Sequence, residues 1–235
     1  MDADLKGLLA KKPLQSLPVK GFFENYAVKK WLKHGDFLLV CGSSDYLWAY
    51  LCGDNPEDLL SLLDKFGFET LYFANVEEWM LPVLTHVRKI EWKLTTHRYY
   101  LPDQKTVEPS DLLFKPLDPS MAQYIFTHSA YKDFTSEKYI KGRLQKDVSA
   151  GVWIEGELAG WGLTHDDTSL GFLHVVPRYR GQGLGESILR FLVMEKQARG
   201  KPVFVNIEPH NHQSINLVKK LGFSFDREVS WVKLT

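Results

Sequence analysis

The sequence predicts an α/β chain, in the broad sense that includes α+β folds, and three observations support this. Apolar runs typical of strands recur in both halves of the chain, and amphipathic stretches with helical spacing alternate with them. The length of 235 residues suits one large domain or two small ones. A polar, proline-bearing stretch at 101–109 separates the halves. We therefore expect two domains, at 1–108 and 109–235.

The first half alternates between helical and strand-like patterns. Helical spacing occurs near 23–34, 56–65 and 77–87, and strand-like runs occupy 37–41, 46–52, 69–73 and 90–100. This half contains no glycine-rich phosphate loop. It is predicted to be a smaller α/β domain of its own.

The second half forms a complete α/β unit. A strand at 112–117 precedes helices at 119–129 and 135–146, and a hairpin follows with strands at 151–154 and 158–164. A strand at 170–176, a helix from about 183, and a strand at 203–207 come next. A helix that Asn211 can cap and Gly222 ends leads to a closing strand pair.

The composition excludes several classes of partner. The chain has 29 basic and 29 acidic residues, so no net field draws it to nucleic acid or to an anionic membrane. It shows no apolar stretch of spanning length and no secretory signal pattern, so a cytoplasmic monomer or homodimer is expected. Cys41 and Cys52 lack companion histidines, and they are predicted to be small core residues, with no metal site.

The junction between the strand at 170–176 and the next helix is the most informative segment. The apolar run stops at Pro177 and opens into Arg180 and glycines at 181, 183 and 185. The helix that follows begins with amides that have no partner within the helix, and glycine lets an anion approach them closely. Those amides and the positive end of the helix dipole favour a phosphate group. The segment therefore predicts a phosphate site.

Spacing decides between three designs of phosphate site. The dinucleotide fingerprint fails, because its third glycine would fall on Glu186 or Ile188. A P-loop fails because no lysine lies near the turn. The remaining pattern is R-x-x-G-x-G, formed by Arg180, Gly183 and Gly185. It resembles the coenzyme A pyrophosphate loop of the GNAT superfamily of N-acyltransferases.

A second motif strengthens this resemblance. The segment NHQSINLVKKLGF resembles the last GNAT motif, which it matches at Asn211, Ser214, Leu217, Lys220, Gly222 and Phe223. Val218 stands where the family usually has tyrosine. Together the motifs imply the GNAT fold, a mixed and mostly antiparallel sheet flanked by helices. The pattern GELAGWGL and a first half without a loop resemble the glycine N-acyltransferase-like branch, in which a degenerate GNAT-like domain precedes the working one. A lid or a dimerisation domain is the alternative for the first half.

The resemblance also implies a set of ligand-binding residues. Acetyl-CoA or another acyl-CoA is the expected co-substrate, its pantetheine arm lying along the strand as a pseudo-strand while the sheet splays toward the strand at 203–207. The residues expected to bind it are Leu173, His174, Val175, Val176, Arg180, Gly181, Gln182, Gly183, Leu184, Gly185, Glu186, Asn211 and Ser214.

The catalytic base is not fixed by the resemblance. Glycine N-acyltransferases place a glutamate at the start of the motif strand, but this chain has Thr168-Ser169-Leu170 there. His174 is the first candidate because imidazole titrates near neutral pH. Glu208 and then Asp166 are weaker candidates, and a bound water could replace all three. With Val218 in place of tyrosine, the thiolate leaves without a phenol donor, although Ser214 could supply a hydroxyl.

Two classes of function follow. The first is an enzyme that transfers an acyl group, most simply acetyl, from acyl-CoA to the primary amine of a small molecule such as an amino acid. The alternative is a non-catalytic acyl-CoA-binding or sensing module, which the absent glutamate and tyrosine suggest. Protein lysine acetylation is a third and weaker interpretation.

Overall fold

A computed structural model describes residues 1–86, 88–129 and 132–235. Its contacts group the chain into two compact units. The N-terminal unit comprises Met1–Arg98, Ile207–Asn211 and Phe225–Thr235, and the C-terminal unit comprises Tyr99–Asn206 and His212–Ser224. The units do not follow the expected cut near residue 108, because the last strand of the chain pairs with an N-terminal strand.

The N-terminal unit is built on a mixed sheet. Its elements are α1 (Ala3–Ala10), α2 (Leu17–Asn25), β1 (Lys30–His34), β2 (Phe37–Ser43), β3 (Leu47–Cys52), α3 (Pro56–Phe66), β4 (Tyr72–Val76), α4 (Leu81–Leu84), most of β5 (Ile90–Leu101) and β11 (Ser224–Leu234), with a 3₁₀ turn at Glu78–Met80. The strand order is β1-β2-β3-β4-β11-β5. β1, β2 and β3 are antiparallel neighbours, β3 and β4 are parallel, and β11 runs antiparallel to β4.

The helix predicted at 23–34 is wrong in its second half. Helix α2 ends at Asn25, and Lys30–His34 is a strand whose Trp31 lies opposite Val40 of β2. The turn between the two strands contains Gly35 at φ 51°, a left-handed conformation that glycine adopts readily. Strand pairing therefore overrides the local helical spacing. The helix predicted at 77–87 is limited to the 3₁₀ turn and α4, and residue 87 lies outside the described residues.

Apolar residues cover both faces of this sheet. One face carries a core against α3 that includes Cys41, and the other carries a core against α1 and α2 that includes Cys52. Both cysteines are free, and burial raises the pKa of each thiol to about 12. The prediction that they are core residues is confirmed.

The C-terminal unit follows the predicted order of elements as far as its last helix, but the predicted closing strand pair is instead the single strand β11, nearly all of which belongs to the N-terminal unit. The C-terminal unit contains β6 (Phe114–Lys115), α5 (Ala122–His128), α6 (Glu137–Lys146), β7 (Ser149–Ile154), β8 (Glu157–Thr164), β9 (Leu170–Val175), α7 (Leu184–Ala198), most of β10 (Val203–Ile207) and α8 (His212–Lys220), with 3₁₀ turns at Pro119–Met121, Lys132–Phe134 and Pro177–Tyr179. The order is β10-β9-β8-β7-β6. Only the β10–β9 pair is parallel among these described strands.

The two sides of this sheet position the site. Gly160 and Gly162 of β8 lie against Ile188 and Leu192 of α7, so that helix packs on one side. The other side carries an apolar core that joins Trp161 to residues of α5 and α6 such as Ile125 and Ile140. Strand β9 therefore presents alternate side chains to α7 and to the α5–α6 side.

Candidate functional site

The loop from β9 to α7 has a backbone that requires glycine. Gly181 lies at φ 78° and Gly183 at φ 77°, both in the left-handed region. A Cβ atom built at either position meets no heavy atom within 4 Å. The backbone conformation, rather than crowding, thus selects glycine, and the space beside both residues is open to a ligand.

The first turn of α7 is uncapped. Gly183 is its N-cap residue, and among the described residues no side chain makes a capping hydrogen bond there. Arg180 is exposed at the rim of the loop, and its Nε donates to the Val175 carbonyl at 3.0 Å. Free amides beside a fixed guanidinium make an anion site at the start of a 15-residue helix.

A second group of charges lies in the same turn. Glu186 accepts hydrogen bonds from Arg190 Nη2 at 2.8 Å and from Lys220 Nζ, on α8, at 2.5 Å. The Lys220 and Arg190 hydrogen bonds lower the pKa of this carboxyl below its usual value. Two cations thus share one carboxylate, which leaves a net positive charge beside the loop.

The sheet opens beside β9. The described pairing between β9 and β10 consists of Val205 opposite Leu170, at the beginning of β9. From Gly171 to Val176 the strand is partly exposed, whereas Leu170 is buried. Within the described pairing, β9 therefore has no partner on the β10 side toward its carboxyl end.

His174 lies on this open part of β9. It stands opposite Trp161 of β8, and its ring stacks on the indole with centroids 4.4 Å apart and planes inclined by 17°. Its Nε2 atom is buried and has no hydrogen-bond partner within the described part of the chain. Burial first, and then the positive charges of Arg180 and His128, lower the pKa of His174 below its ordinary value. A neutral imidazole with an unused nitrogen is able to accept a proton.

The remaining predicted residues are placed as follows. Leu173 approaches Gly162, on the α7 side of β8, so it faces away from His174. Ser214 is half-buried on α8, and Val218 is buried at 2% exposure in the same helix. Asp166 is buried, and its backbone N–H donates to the Tyr139 hydroxyl at 2.9 Å.

Glu208 and Asn211 belong to the N-terminal unit, unlike the other predicted residues. Glu208 Oε2 lies 3.7 Å from Nε2 of His210, and its carbonyl accepts from the Asn211 N–H at 2.9 Å. The C-terminal unit thus contains His174, the loop residues and Ser214, but it does not include the other two.

Sequence reasoning missed two ring side chains beside His174. Trp161 and His128 contact it, at 4.4 and 6.2 Å between ring centroids. The signal for Trp161 was the succession of the predicted strands at 158–164 and 170–176, whose antiparallel pairing places it opposite His174. No spacing in the sequence connects His128 to β9. Among the described residues, no three histidines, cysteines or acids are arranged to hold a metal ion, and no helix is long and apolar enough to cross a membrane.

Comparisons with known proteins bear on the fold of this chain. Residues 151–232, about a third of the chain, match the family model described as FR47-like protein. No curated protein matches the chain. A Drosophila protein of known crystal structure is similar over 100% of this chain and 97% of its own, at 17% identity and a TM-score of 0.78.

Two bacterial structures carry functional names. A putative acetyltransferase of the GNAT family from Novosphingobium aromaticivorans is 15% identical over 92% of this chain and 96% of its own, with a TM-score of 0.60. A GCN5-related N-acetyltransferase from Kribbella flavida is 12% identical over 94% of both chains, also with a TM-score of 0.60. At these identities the likeness establishes the fold, and this chain has the GNAT fold.

Proposed function

We propose that this protein is a GNAT-superfamily N-acyltransferase that moves an acyl group, most simply acetyl, from acyl-CoA to the primary amine of a small molecule. One observation carries the proposal. The strand that bears His174, with its unused Nε2, leads directly into an uncapped, glycine-lined helix start. The proposed base and the proposed phosphate site are thus only a few residues apart on one segment of chain.

The residues of the loop fit a pyrophosphate group. The amides from Gly181 to Glu186 would hold its oxygens, with Arg180 at the rim and the open side of both glycines toward the ligand. The part of β9 near Leu173 and Val175, beyond its described pairing with β10, would present its backbone to the pantetheine amides. Acyl-CoA supplies the activated carbonyl carbon, and every other contribution comes from this chain.

His174 would make the amine reactive. An ammonium group with a pKa of about 10.4 costs roughly 4–5 kcal/mol to deprotonate at neutral pH. A neutral imidazole at the open strand can take that proton, a contribution of about 10² to 10⁴ in rate. The Trp161 ring stacked on His174 would stabilise the resulting imidazolium through its π face.

The departing thiolate would leave without a phenol donor. Val218, at the position where the family has tyrosine, is buried and has no acidic proton to donate. A thiol has a pKa of about 8.5, so its anion is a passable leaving group. Ser214, half-buried on the same helix, is the hydroxyl that remains.

The direct test is thiol release from acetyl-CoA in the presence of a panel of amino acids, polyamines and other small amines. We expect release with one class of amine and none without amine. A His174→Gln variant should bind acetyl-CoA as the wild type does but lose most of its turnover, because the imidazole contributes to the chemical step.

Val218 and the absence of a glutamate at the start of β9 favour one second candidate, an acyl-CoA sensing module. Such a module would bind acetyl-CoA in calorimetry and release no thiol with any amine in the panel. That outcome would replace the enzyme assignment while leaving the ligand site intact.

We further propose that the N-terminal unit is a degenerate GNAT-like domain, as in the glycine N-acyltransferase-like branch. Its β1-β2-β3-α3-β4 segment has the same succession of two antiparallel pairs and one parallel crossover as β7-β8-β9-α7-β10.

A further inference from the structure

Four rings form a contiguous group on the α5–α6 side of the C-terminal sheet, and we call them the aromatic cluster: Tyr124 and His128 of α5, Trp161 of β8 and His174 of β9. Trp161 is the buried centre, and its ring lies 5.7 Å from Tyr124, 5.9 Å from His128 and 4.4 Å from His174, between centroids. The two imidazoles are 6.2 Å apart. Only one of them, His128, is an exposed residue.

We propose that His128 is the proton exit of the reaction, receiving from His174 the proton that the amine gives up and passing it to solvent. The inference rests on the proposed function, because it assumes that His174 is the base. It adds a residue on a different element that the GNAT motifs of this chain do not contain.

The stoichiometry of acyl transfer requires an exit. An alkylammonium and an acyl thioester give an amide, a free thiol and one proton, as the C–N bond forms and the C–S bond breaks. One proton must therefore leave the protein in every turnover. His174 must lose it before it can serve again, but its Nε2 atom is enclosed, with no hydrogen-bond partner in the described ranges.

The geometry of His128 suits a proton acceptor. Its Nδ1 lies 2.8 Å from the Tyr124 carbonyl, one turn earlier in α5. A carbonyl can only accept, so this contact assigns the hydrogen to Nδ1 and leaves the lone pair of Nε2 available. The separation of 6.2 Å between ring centroids, with no direct hydrogen bond from His174 Nε2 in the described residues, suits transfer through one bridging water molecule.

The charges around the pair favour movement outward. Arg180 from the loop and His128 from α5 are the charged or titratable groups that act on His174, and both disfavour its protonated form. Tyr124 and Trp161 present rings to the pair. No carboxylate is among the groups that shift the pKa of His174 within the described residues, so no anionic partner there opposes transfer of the proton to the exposed ring.

The test is the dependence of turnover on buffer. His128→Gln keeps a polar side chain of similar size but cannot carry a proton. We expect its kcat in dilute buffer to fall about tenfold, and to recover as N-methylmorpholine is added, because that tertiary amine can accept the proton and cannot form a stable amide. The wild type and His34→Gln, which alters a half-buried histidine of the N-terminal unit, should not respond to the added base.

A second readout separates proton exit from a merely structural role. Removing the positive charge of His128 should raise the pKa of His174 and move the acid limb of kcat/KM to higher pH. An unchanged kcat for His128→Gln, or a loss that added base does not restore, overturns the proposal. Equal acetyl-CoA affinity of variant and wild type in calorimetry shows that any loss is not misfolding.

The base and the proposed function are tested by separate measurements. If His174→Gln keeps full turnover, the acyltransferase stands but His174 is not the base, and the proton exit is rejected with it. If the wild type releases no thiol with any amine, the proposed function itself fails. If His174→Gln is inactive while His128→Gln is normal in dilute buffer, the base stands and only the proton exit is rejected.

Discussion

The two parallel crossovers of this chain share a topology and differ in what lies at their helix starts. In the N-terminal unit, Asn55 caps α3, with its side chain accepting from the amides of Glu57 at 2.8 Å and Asp58 at 3.2 Å. In the C-terminal unit, α7 begins at Gly183 and no described side chain caps it. An internal oxygen thus occupies in α3 the place that an external anion can take in α7.

The parallel strand pairs of the two crossovers also differ in how far they are paired. β3 and β4 pair over three positions, from Trp48 opposite Tyr72 to Tyr50 opposite Ala74, whereas the described pairing of β9 and β10 is Val205 opposite Leu170. Beyond its paired part, β3 is engaged by side chains. Asn75 Nδ2 donates to the Leu51 carbonyl at 2.6 Å, and Gln15 Nε2 donates to the Gly53 carbonyl at 2.9 Å.

This difference teaches that one topology can be open or closed to a ligand through a few polar side chains. Asn75 sits at φ 59° on β4, is fully buried, and is held by Arg98 Nη1 at 2.9 Å. Arg98 in turn pairs with Asp226 of β11. The N-terminal unit thus satisfies backbone carbonyls at the end of β3 through buried Asn75 and Gln15, whereas the side-chain contact described at the end of β9 is that of the exposed Arg180 with the Val175 carbonyl.

The largest effect should come from closing the open helix start. Gly183→Glu places a carboxylate in the anion site and forces a non-glycine residue to φ 77°. We expect acetyl-CoA affinity in calorimetry to fall about 100-fold or more, which corresponds to about 3 kcal/mol. Gly200→Glu is the matched control, since Gly200 lies at φ 62° with equally open space at the other end of α7. Equal affinities of the two variants would contradict the assignment.

The pH dependence of turnover should report the protonation of His174 on β9. Because burial and neighbouring positive charge lower the pKa of His174, the imidazole is neutral over most of the range, and kcat/KM should fall only as the pH drops below the ordinary histidine value of about 6.5. Arg180→Gln removes one positive neighbour, so the acid limb should move upward. A limb that stays in place in this variant would show that His174 is not the titrating base.

A change at the capped start of α3 should lower stability without changing acetyl-CoA affinity, unlike a change at the start of α7. Asn55→Ala removes two hydrogen bonds to the first turn of α3 and should lower the free energy of unfolding by about 1 kcal/mol. Acetyl-CoA affinity should stay at the wild-type value, because this helix start holds no ligand. If the folded variant binds acetyl-CoA more weakly than the wild type, the ligand contacts the N-terminal unit and the assignment to α7 is contradicted.

The smallest effect should come from Glu186. Glu186→Gln keeps the backbone amide but removes the carboxylate that Lys220 and Arg190 share. With both cations released toward the loop, we expect acetyl-CoA to bind about threefold more tightly at low salt, and the gain to shrink as salt is added. Weaker binding in titrations at low salt would mean that Glu186 itself contacts the ligand favourably.

Local sequence predicted the β9-to-α7 turn of the C-terminal unit well. The turn at 177–183 and the start of α7 follow from glycine chemistry and helical spacing, and those signals act within a few residues. Gly222 at φ 90° ends the last helix as expected, with Phe223 N–H donating to the Val218 carbonyl. These features need little information from distant parts of the chain.

The side-chain contacts at the end of β3 and the aromatic cluster both depend on residues that are distant in sequence. Gln15 and Asn75 engage the end of β3 through hydrogen bonds that span 38 and 24 residues. Lys30–His34 has helical spacing but becomes a strand because β2 pairs with it. His128 contacts His174 only after α5 docks on the sheet. No periodicity encodes such pairings, so sequence reasoning could not supply them.

The number of acetyl-CoA molecules that bind per chain is the most direct measurement, because it tests whether one crossover is open and the other closed. Calorimetric titration of the full chain should give one site per chain, lost in Gly183→Glu and retained in Gly200→Glu and Asn55→Ala. Two sites per chain, or one site that survives Gly183→Glu, would contradict the account.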